Sequence, residues 1–128
     1  MLTGLTIRDV VLIDRLDLTF GPGLSVLTGE TGAGKSILLD ALGLALGARA
    51  DSGLVRNGAK QAVVTASFDV PDGHGSSDIL EEMGIEMDGP VILRRIVTAD
   101  GRSRAFANDE PVSVATLQRL GEALVEVQ

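Results

Sequence analysis

The sequence contains no cysteine, tryptophan or tyrosine, and its only histidine is His74. It therefore has no means of building a disulfide framework, a thiolate zinc site or a Cys/His nucleophilic pair. Only three phenylalanines are present, so a core must be assembled from Leu, Val, Ile and Ala, which suits an α/β packing. Without Tyr or Trp, no aromatic platform is available for stacking single-stranded nucleic acid.

Long apolar runs are also missing. The longest one, residues 37–46, contains Asp40 and is far shorter than the roughly 20 residues that a membrane-spanning helix needs. The first 20 residues hold five charged side chains, which leaves no apolar segment of a secretory signal. We therefore expect a cytoplasmic protein with no membrane partner.

A length of 128 residues allows one domain or a piece of one. The chain carries 18 acidic and 11 basic residues, for a net charge of −7. This balance argues against nucleic-acid binding by the whole surface and leaves room only for a local basic site.

Hydrophobic periodicity predicts alternating strands and helices. In the first half we expect strands at 2–7 and 16–20 with a turn at Asp14-Arg15, a buried strand at 24–28, and a helix over 37–46 that ends at Gly47. In the second half we expect a strand at 61–70, a helix at 78–83 capped by Ser76 or Ser77, a strand at 91–97, a turn at Asp100-Gly101, a strand at 102–107, a break at Pro111, a helix at 113–120 and a strand at 123–127.

Residues 29–36 read Gly-Glu-Thr-Gly-Ala-Gly-Lys-Ser and match the full G-x-x-x-x-G-K-[ST] pattern of a phosphate-binding loop. The motif lies between the predicted strand 24–28 and the predicted helix, which is the context that it requires. The glycines let main-chain N–H groups face an anion, Lys35 adds a charge on the β- and γ-phosphates, and Ser36 supplies one Mg²⁺ ligand. The predicted nucleotide-binding residues are Gly29, Glu30, Thr31, Gly32, Ala33, Gly34, Lys35, Ser36 and Ile37, with Lys35 also catalytic.

Hydrolysis needs a second carboxylate to hold the metal or polarise water. The Asp109-Glu110 pair lacks a preceding buried strand and is interpreted as a turn. Asp69 ends a strand that is interrupted by polar residues, and a structural role is favoured for it over metal chemistry. No guanine-reading Asn-Lys-x-Asp motif is present, so ATP is favoured over GTP.

The extended loop 27–42 is followed by Arg-Ala-Asp at 49–51, Leu-Val-Arg at 54–56 with Gly58, Gly-Arg-Ser-Arg-Ala at 101–105, and Leu-Gly-Glu-Ala-Leu-Val at 120–125. Over almost its entire length the chain thereby resembles the N-terminal part of the head domain of the bacterial RecN family, SMC-like members of the ABC-type ATPases. The resemblance implies an α/β P-loop fold of ABC/SMC head type, an N-terminal lobe with a mixed β-sheet and a P-loop helix, incomplete without its C-terminal part.

The same resemblance implies the partners and the chemistry. Two heads would sandwich ATP and Mg²⁺ as a homodimer, each head completed by its own C-terminal segment, which carries the signature and Walker B motifs. The cycle would serve double-strand break repair on double-stranded DNA or DNA ends, in the nucleoid. Gln128 lies at or just before the family's Q-loop glutamine, a second candidate metal ligand. Residues 108–110 read Asn-Asp-Glu where the family more often has Asn-Gly.

Nine of the eleven basic residues are arginines, and six of them are candidates for contacting DNA or the nucleotide. Arg49 and Arg56 follow the predicted nucleotide-binding helix, where SMC-like heads resemble one another in placing an arginine loop; solvent-facing loop arginines are an equal alternative. Arg94, Arg95, Arg102 and Arg104 flank the predicted turn, and a hairpin would bring them onto neighbouring positions. Protection of a strand edge by charge is the commoner explanation.

Two alternatives to an ATPase stay open. One is a nucleotide-gated structural clamp that bridges DNA with negligible turnover. The other is an unrelated P-loop kinase, which would need an Arg-rich acceptor lid that the sequence does not show. Residues 1–128 alone are expected to hydrolyse almost no ATP.

Overall fold

Six strands among the described residues form one sheet at the centre of the fold. The computed structural model describes residues 2–11, 13–19, 32–49, 52–70, 75–85 and 89–125. The strands follow the order β2-β1-β3-β4-β5-β6, and every pairing among them is antiparallel. They are β1 (Leu2–Val10), β2 (Ile13–Thr19), β3 (Gln61–Phe68), β4 (Val91–Thr98), β5 (Ser103–Ala107) and β6 (Glu110–Val112).

In the described part of the chain, three α-helices cover one side of this sheet. They are α1 (Gly32–Ala45), α2 (Gly75–Glu82) and α3 (Val114–Val125), and a short 3-10 helix spans Ser52–Leu54. Helix α1 packs on β1, β3 and β4, while α3 packs on β5 and α2. Among these described helices, none combines the length and the hydropathy needed to cross a bilayer.

The two sides of the sheet differ because side chains alternate along each strand. The core face, which lies under the helices, carries the buried residues Leu5, Ile7, Ala62, Val64, Ala66, Phe68, Val91, Leu93, Arg95, Val97, Ala105 and Ala107. The outer face carries the partly or fully exposed residues between them, among them Thr6, Arg8, Arg15, Val63, Thr65, Ile92, Arg94, Ile96, Arg104 and Phe106.

Helices α1 and α3 meet at two glycines. Gly47 ends α1 with a φ of 96°, and the Ala48 N–H donates to the Gly43 carbonyl at 2.9 Å, which closes the helix end. The Gln118 side-chain amide of α3 donates to the Gly47 carbonyl at 2.9 Å. A Cβ at Gly121 would lie 2.6 Å from the Leu46 carbonyl oxygen, so the two backbones approach closely at this point.

Most of the predicted elements are confirmed. The strands at 61–70, 91–97 and 102–107, the helices at 37–46 and 78–83, the end of α1 at Gly47 and the turn at Asp100-Gly101 all appear with shifts of a few residues at their ends. The Ser113 hydroxyl accepts the Thr116 N–H at 3.1 Å and caps α3. The predicted strand 24–28 lies outside the described residues.

Four predictions about local structure are wrong. Helix α3 continues to Val125 where a strand was expected, because Leu117, Leu120 and Leu124 keep the helical spacing and are all buried. The β1–β2 turn lies near residue 11, so the charged pair 14–15 belongs to β2. The caps proposed at 76 and 77 lie inside α2. Pro111 belongs to the edge strand β6, where a missing N–H is tolerated.

The loop between β5 and β6 is a two-residue turn. Asn108 and Asp109 both have positive φ, 47° and 68°, as a type I′ turn demands. The Asn108 side-chain oxygen accepts the Ile92 N–H at 2.8 Å, and its own N–H donates to the Ile92 carbonyl. The expectation of a turn at 109–110 is therefore correct for Asp109, while Glu110 already begins β6.

Candidate functional site

The N-terminus of α1 is the part of the predicted phosphate-binding loop that the structure describes. Gly32, Ala33, Gly34, Lys35 and Ser36 form the first residues of this 14-residue helix. The first N–H groups of a helix have no partner within the helix, and the macrodipole places partial positive charge there. No acidic residue occupies this first turn, so the chemistry of the helix end suits an anion such as a triphosphate.

Of the other residues predicted to contact the nucleotide or the metal, one lies at the edge of the core and four lie outside the described residues. Ile37 is half-buried and packs against the core. As the sixth residue of α1 it also lies beyond the four N–H groups that have no partner within the helix. Gly29, Glu30, Thr31 and Gln128 lie outside the described residues. Within the part of the chain that is described, no three His, Asp or Glu side chains come together as a metal site.

The C-terminal end of α1 rests on a buried arginine. Arg95 of β4 is only 2% exposed and projects from the core face. Its Nη1 donates to the carbonyl oxygens of Leu44 at 3.1 Å and Ala48 at 2.7 Å, and its Nε donates to Ser103 Oγ at 2.6 Å. Burial lowers the pKa of the guanidinium, which nevertheless keeps its proton at neutral pH.

This location separates Arg95 from the other DNA candidates. A guanidinium that is enclosed between a sheet and a helix has no surface to offer to a phosphate backbone, so the prediction that Arg95 contacts DNA is wrong. The β4–β5 hairpin does form as expected, but it places the consecutive Arg94 and Arg95 on opposite faces. The period-two pattern of Val91, Leu93, Arg95 and Val97 is the sequence signal that could have predicted this burial.

Arg94 lies on the outer face with a mixed environment. Its guanidinium carbon is 4.7 Å from the centre of the Phe106 ring, a cation–π distance. Its Nη1 is 3.7 Å from the Asp109 carboxylate, while its Nε is buried and makes no hydrogen bond. Arg104 is exposed on β5 of the same face.

Arg102 is engaged within the hairpin turn. Its guanidinium lies 3.0 Å from the Asp100 carboxylate. The Thr98 hydroxyl bonds to the same carboxylate, and this bond, followed by those from Arg102, lowers the pKa of Asp100 to about 2.

Arg49 and Arg56 both follow α1 in the sequence. Arg49 is exposed two residues after Gly47. Arg56 is exposed, and its Nη1 lies 4.0 Å from the Asp14 carboxylate of β2. The Arg56 N–H donates to the Asp9 carbonyl at 2.7 Å, which ties this segment to the end of β1. Arg56 thus lies beside the ends of β1 and β2.

Comparison with known proteins agrees with this architecture. The family model described as an AAA domain matches residues 5–126. The chain is 45% identical over 127 residues to the DNA repair protein RecN of Xylella fastidiosa, strain Temecula1, covering 99% of this chain and 23% of that protein. It is 44% identical over 130 residues to RecN of Haemophilus influenzae, again covering 99% and 23%. The chain thus spans less than a quarter of the length of these relatives.

Solved structures share the fold. One from work on ATP-driven dimerization and DNA-stimulated activation of SMC ATPases has a TM-score of 0.76 at 23% identity, covering 97% of this chain and 79% of that one. The recombination mediator protein RecF has a TM-score of 0.70 at 16% identity, covering 91% and 29%. The expected resemblance to RecN and the expected head fold are confirmed. Because the family match spans nearly all of the sequence, the protein belongs to the AAA domain family and has the fold of an SMC-type ATPase head.

Proposed function

We propose that residues 1–128 form the N-terminal segment of an ATPase head that binds ATP with Mg²⁺ through residues 29–36. The observation that carries the proposal is that residues 32–36, the second part of a complete phosphate-loop motif in the sequence, begin α1, whose first turn holds no carboxylate. The AAA-domain match supports a nucleotide as the anion. The function that we assign is the ATP-driven cycle of a RecN-like repair protein in the bacterial cytoplasm.

The chain's own groups would divide the work of holding the triphosphate. Main-chain N–H groups at the start of α1 bind phosphate oxygens without needing to be reoriented, since the helix fixes their direction. Lys35 places a positive charge at the β- and γ-phosphates, and the Ser36 hydroxyl occupies one metal position. When bound, Mg²⁺ neutralises charge that develops on the phosphate oxygens.

Hydrolysis would need groups from elsewhere. The carboxylate that polarises water is assigned to the C-terminal head segment, and a second head would close over the nucleotide to form a homodimer. Gln128 is proposed as a further metal contact. The chain alone would then bind nucleotide with almost no turnover, and steady-state hydrolysis by residues 1–128 would contradict this division. ATP-dependent DNA bridging by the complete protein without measurable turnover would favour the clamp alternative.

The binding step is tested by replacing the two lysines of the chain one at a time. Lys35→Ala should weaken MgATP binding by at least about 100-fold in a calorimetric titration of the complete protein, because a charge-assisted contact to two phosphates is lost. Lys60→Ala is the matched control, since Lys60 is exposed and distant in sequence from the loop. Unchanged micromolar affinity in Lys35→Ala would refute the assignment of the loop.

The outer face is the second part of the proposal, as a contact for the DNA backbone. Cross-strand register places Arg15, Arg8, Val63, Ile96 and Arg104 in one row across five strands. At about 4.8 Å between strands this row is about 19 Å long, and a duplex presents about eleven phosphates over that distance.

Arg94 adds a cation in the next row of the same face, two residues along β4 from Ile96. The acids near these arginines are exposed: the Arg15–Asp17 pair is 3.2 Å apart, and the Arg94–Asp109 pair is 3.7 Å apart. Exposed pairs of this kind contribute little free energy, so a phosphate can replace the carboxylate. A sheet face with several arginines therefore gives an acidic chain the local basic site that its net charge of −7 leaves room for.

DNA binding is tested with the double variant Arg94→Ala/Arg104→Ala, with Arg119→Ala on α3 as the control. The double variant should weaken duplex binding and reduce the salt slope of log K by about 2, since two phosphate contacts are lost. Its MgATP affinity should stay unchanged. Equal DNA affinity and equal salt slope in the double variant and the unsubstituted protein would exclude this face. Arg49, Arg56 and Arg102 remain proposed contacts to be tested singly in the same assay.

A further inference from the structure

The buried arginine of β4 is attached to the helix that begins with the phosphate loop. Arg95 donates to the Leu44 carbonyl in the last turn of α1, to the Ala48 carbonyl just after the helix, and to the hydroxyl of Ser103 on β5. Helix α1 has no basic residue in its own last turn. The cation that balances the negative end of its macrodipole therefore comes from the sheet.

Packing alone does not require a charge at this position. The core-face neighbours Leu93 and Val97 on the same strand are apolar and fully buried. Burying a guanidinium is unfavourable unless its donors are satisfied. Here Nε and Nη1 bond to uncharged oxygens on two different elements, so the planar group fixes both the distance and the rotation of the helix end relative to β4 and β5.

Because α1 is long, a small tilt at its C-terminal end displaces its N-terminus. A 14-residue helix is about 21 Å long at 1.5 Å per residue. Tilting it by about 3° about its C-terminal end moves its N-terminus by about 1 Å, which exceeds the tolerance of a hydrogen bond. A displacement of that size at a reacting group is known to cost about 100-fold in rate.

We propose that Arg95 is a positioning residue for the start of α1, residues 32–36, because Arg95 holds the other end of the helix on the sheet through the carbonyls of Leu44 and Ala48. The proposal rests on the proposed function of residues 29–36. In this proposal Arg95 is distant from the nucleotide and fixes the position of the first N–H groups of α1. Arg95→Met removes the charge and all three hydrogen bonds at similar volume, Arg95→Lys keeps the charge without the fork, and Arg119→Met is the exposed control.

The first measurement needs no nucleotide. Amide hydrogen exchange in the complete protein should be at least tenfold faster in α1 of Arg95→Met, with β1 and β3 little changed. A merely global loss of stability would instead accelerate exchange in all three elements alike. Arg95→Lys should give an intermediate exchange rate, and Arg119→Met the rate of the unsubstituted protein.

The second measurement uses inorganic triphosphate and MgATP as probes, at a temperature where each variant is folded by circular dichroism. Arg95→Met should raise both dissociation constants about tenfold, and Arg95→Lys about threefold. If Arg95→Met does not fold, Arg95→Lys and Ser103→Ala carry the test, because each keeps the charge and changes only the hydrogen-bond geometry.

The outcomes separate this proposal from the proposed function. Unchanged α1 exchange and unchanged dissociation constants in the folded variants would overturn the role of Arg95, and equal acceleration of α1, β1 and β3 would do so too. Failure of the unsubstituted protein to bind triphosphate would instead defeat the assignment of the loop. Faster exchange confined to α1, together with weaker triphosphate binding, would support the positioning role.

Discussion

The two faces of the sheet treat the same residue type in opposite ways. Arg94 and Arg95 are consecutive, yet Arg94 lies over Phe106 on the outer face with part of its side chain in solvent, whereas Arg95 is enclosed under α1. Arg94 meets a carboxylate at 3.7 Å, and Arg95 meets main-chain carbonyls at 2.7 and 3.1 Å. A step of one residue along β4 therefore separates a charge at the surface from a buried charge that holds α1 on the sheet.

This contrast shows that the face decides what a charged side chain can do. Water screens the outer arginines, so their ion pairs exchange readily with other anions. The interior strengthens each hydrogen bond of Arg95 and makes the loss of any one costly. Counting arginines along the sequence cannot separate these roles, whereas the alternation of buried and exposed positions can.

The largest expected difference between the faces is in stability. Leu93→Ala on the core face should cost about 2–5 kcal/mol of unfolding free energy, because Leu93 is fully buried and leaves a cavity. Ile96→Ala on the outer face of the same strand should cost about 1 kcal/mol. Urea unfolding of the two variants measures both values. Equal losses would mean that the outer face is covered by another part of the protein.

The contact of α1 with α3 should show the next largest effect. Gly121→Ala should cost about 1–3 kcal/mol, because its Cβ would stand 2.6 Å from the Leu46 carbonyl oxygen and the two helices would have to separate. Gly43→Ala is the matched control on α1. Its Cβ would make an ordinary contact of 3.8 Å with Ala48, so a gain of up to about 1 kcal/mol is expected. Thermal unfolding distinguishes the signs, and stabilisation by Gly121→Ala would contradict the close approach.

The β5–β6 turn tests how little an outer-face ion pair contributes. Asp109→Gly should stabilise the protein by about 0.5 kcal/mol, because glycine accepts positive φ without strain and the lost pair with Arg94 is exposed. Asn108→Gly removes the bond from the Ile92 N–H and should destabilise by about 1 kcal/mol. Chemical unfolding of both variants under one buffer condition gives the comparison. A loss in Asp109→Gly equal to that in Asn108→Gly would show that the ion pair is a strong one.

The smallest effect concerns the hairpin tip and depends on pH. The Thr98 hydroxyl and Arg102 lower the pKa of Asp100 to about 2 from an ordinary value of 3.8. A lowered pKa gives stability that is complete above the unfolded value and is lost as pH falls towards 2. The stability difference between the unsubstituted protein and Asp100→Asn should therefore be constant above about pH 5 and shrink as pH falls from 4 to 2. A difference that grows on acidification would contradict the assigned direction.

Periodicity predicted most of the helices and strands from sequence because the core is nearly all aliphatic. Residues 37–46 repeat at helical spacing, and Gly47, with its positive φ, follows the last helical residue, Ala45, by two positions. The error at 123–127 had a similar signal available, since Leu124 continues the spacing of Leu117 and Leu120. The turn at 14–15 was misplaced because charged residues on an edge strand resemble a turn.

The candidate site was predictable only in part, for a different reason. A phosphate loop binds through main-chain atoms, so its motif is readable from glycine spacing alone. The contact of Arg95 with the other end of α1 depends on which strand lies beneath the helix. Leu44 and Ala48 contribute only their main-chain carbonyls to it. No side-chain pattern in a single sequence records such a contact. The grouping of Arg8 with Arg94 and Arg104 likewise follows from strand order rather than from proximity in the chain.

The three-residue strand that ends the sheet has a consequence for how the protein behaves before it is fully assembled. Pro111 at its centre donates no N–H, and a strand of three residues offers few hydrogen-bonding groups to a strand of another molecule. A nascent chain that exposes this edge strand while later segments are still being synthesised would therefore resist edge-to-edge pairing with other copies of the chain. Replacing Pro111 with threonine would add a main-chain N–H donor at this edge. The substitution would remove the protection against strand pairing without altering the folded structure.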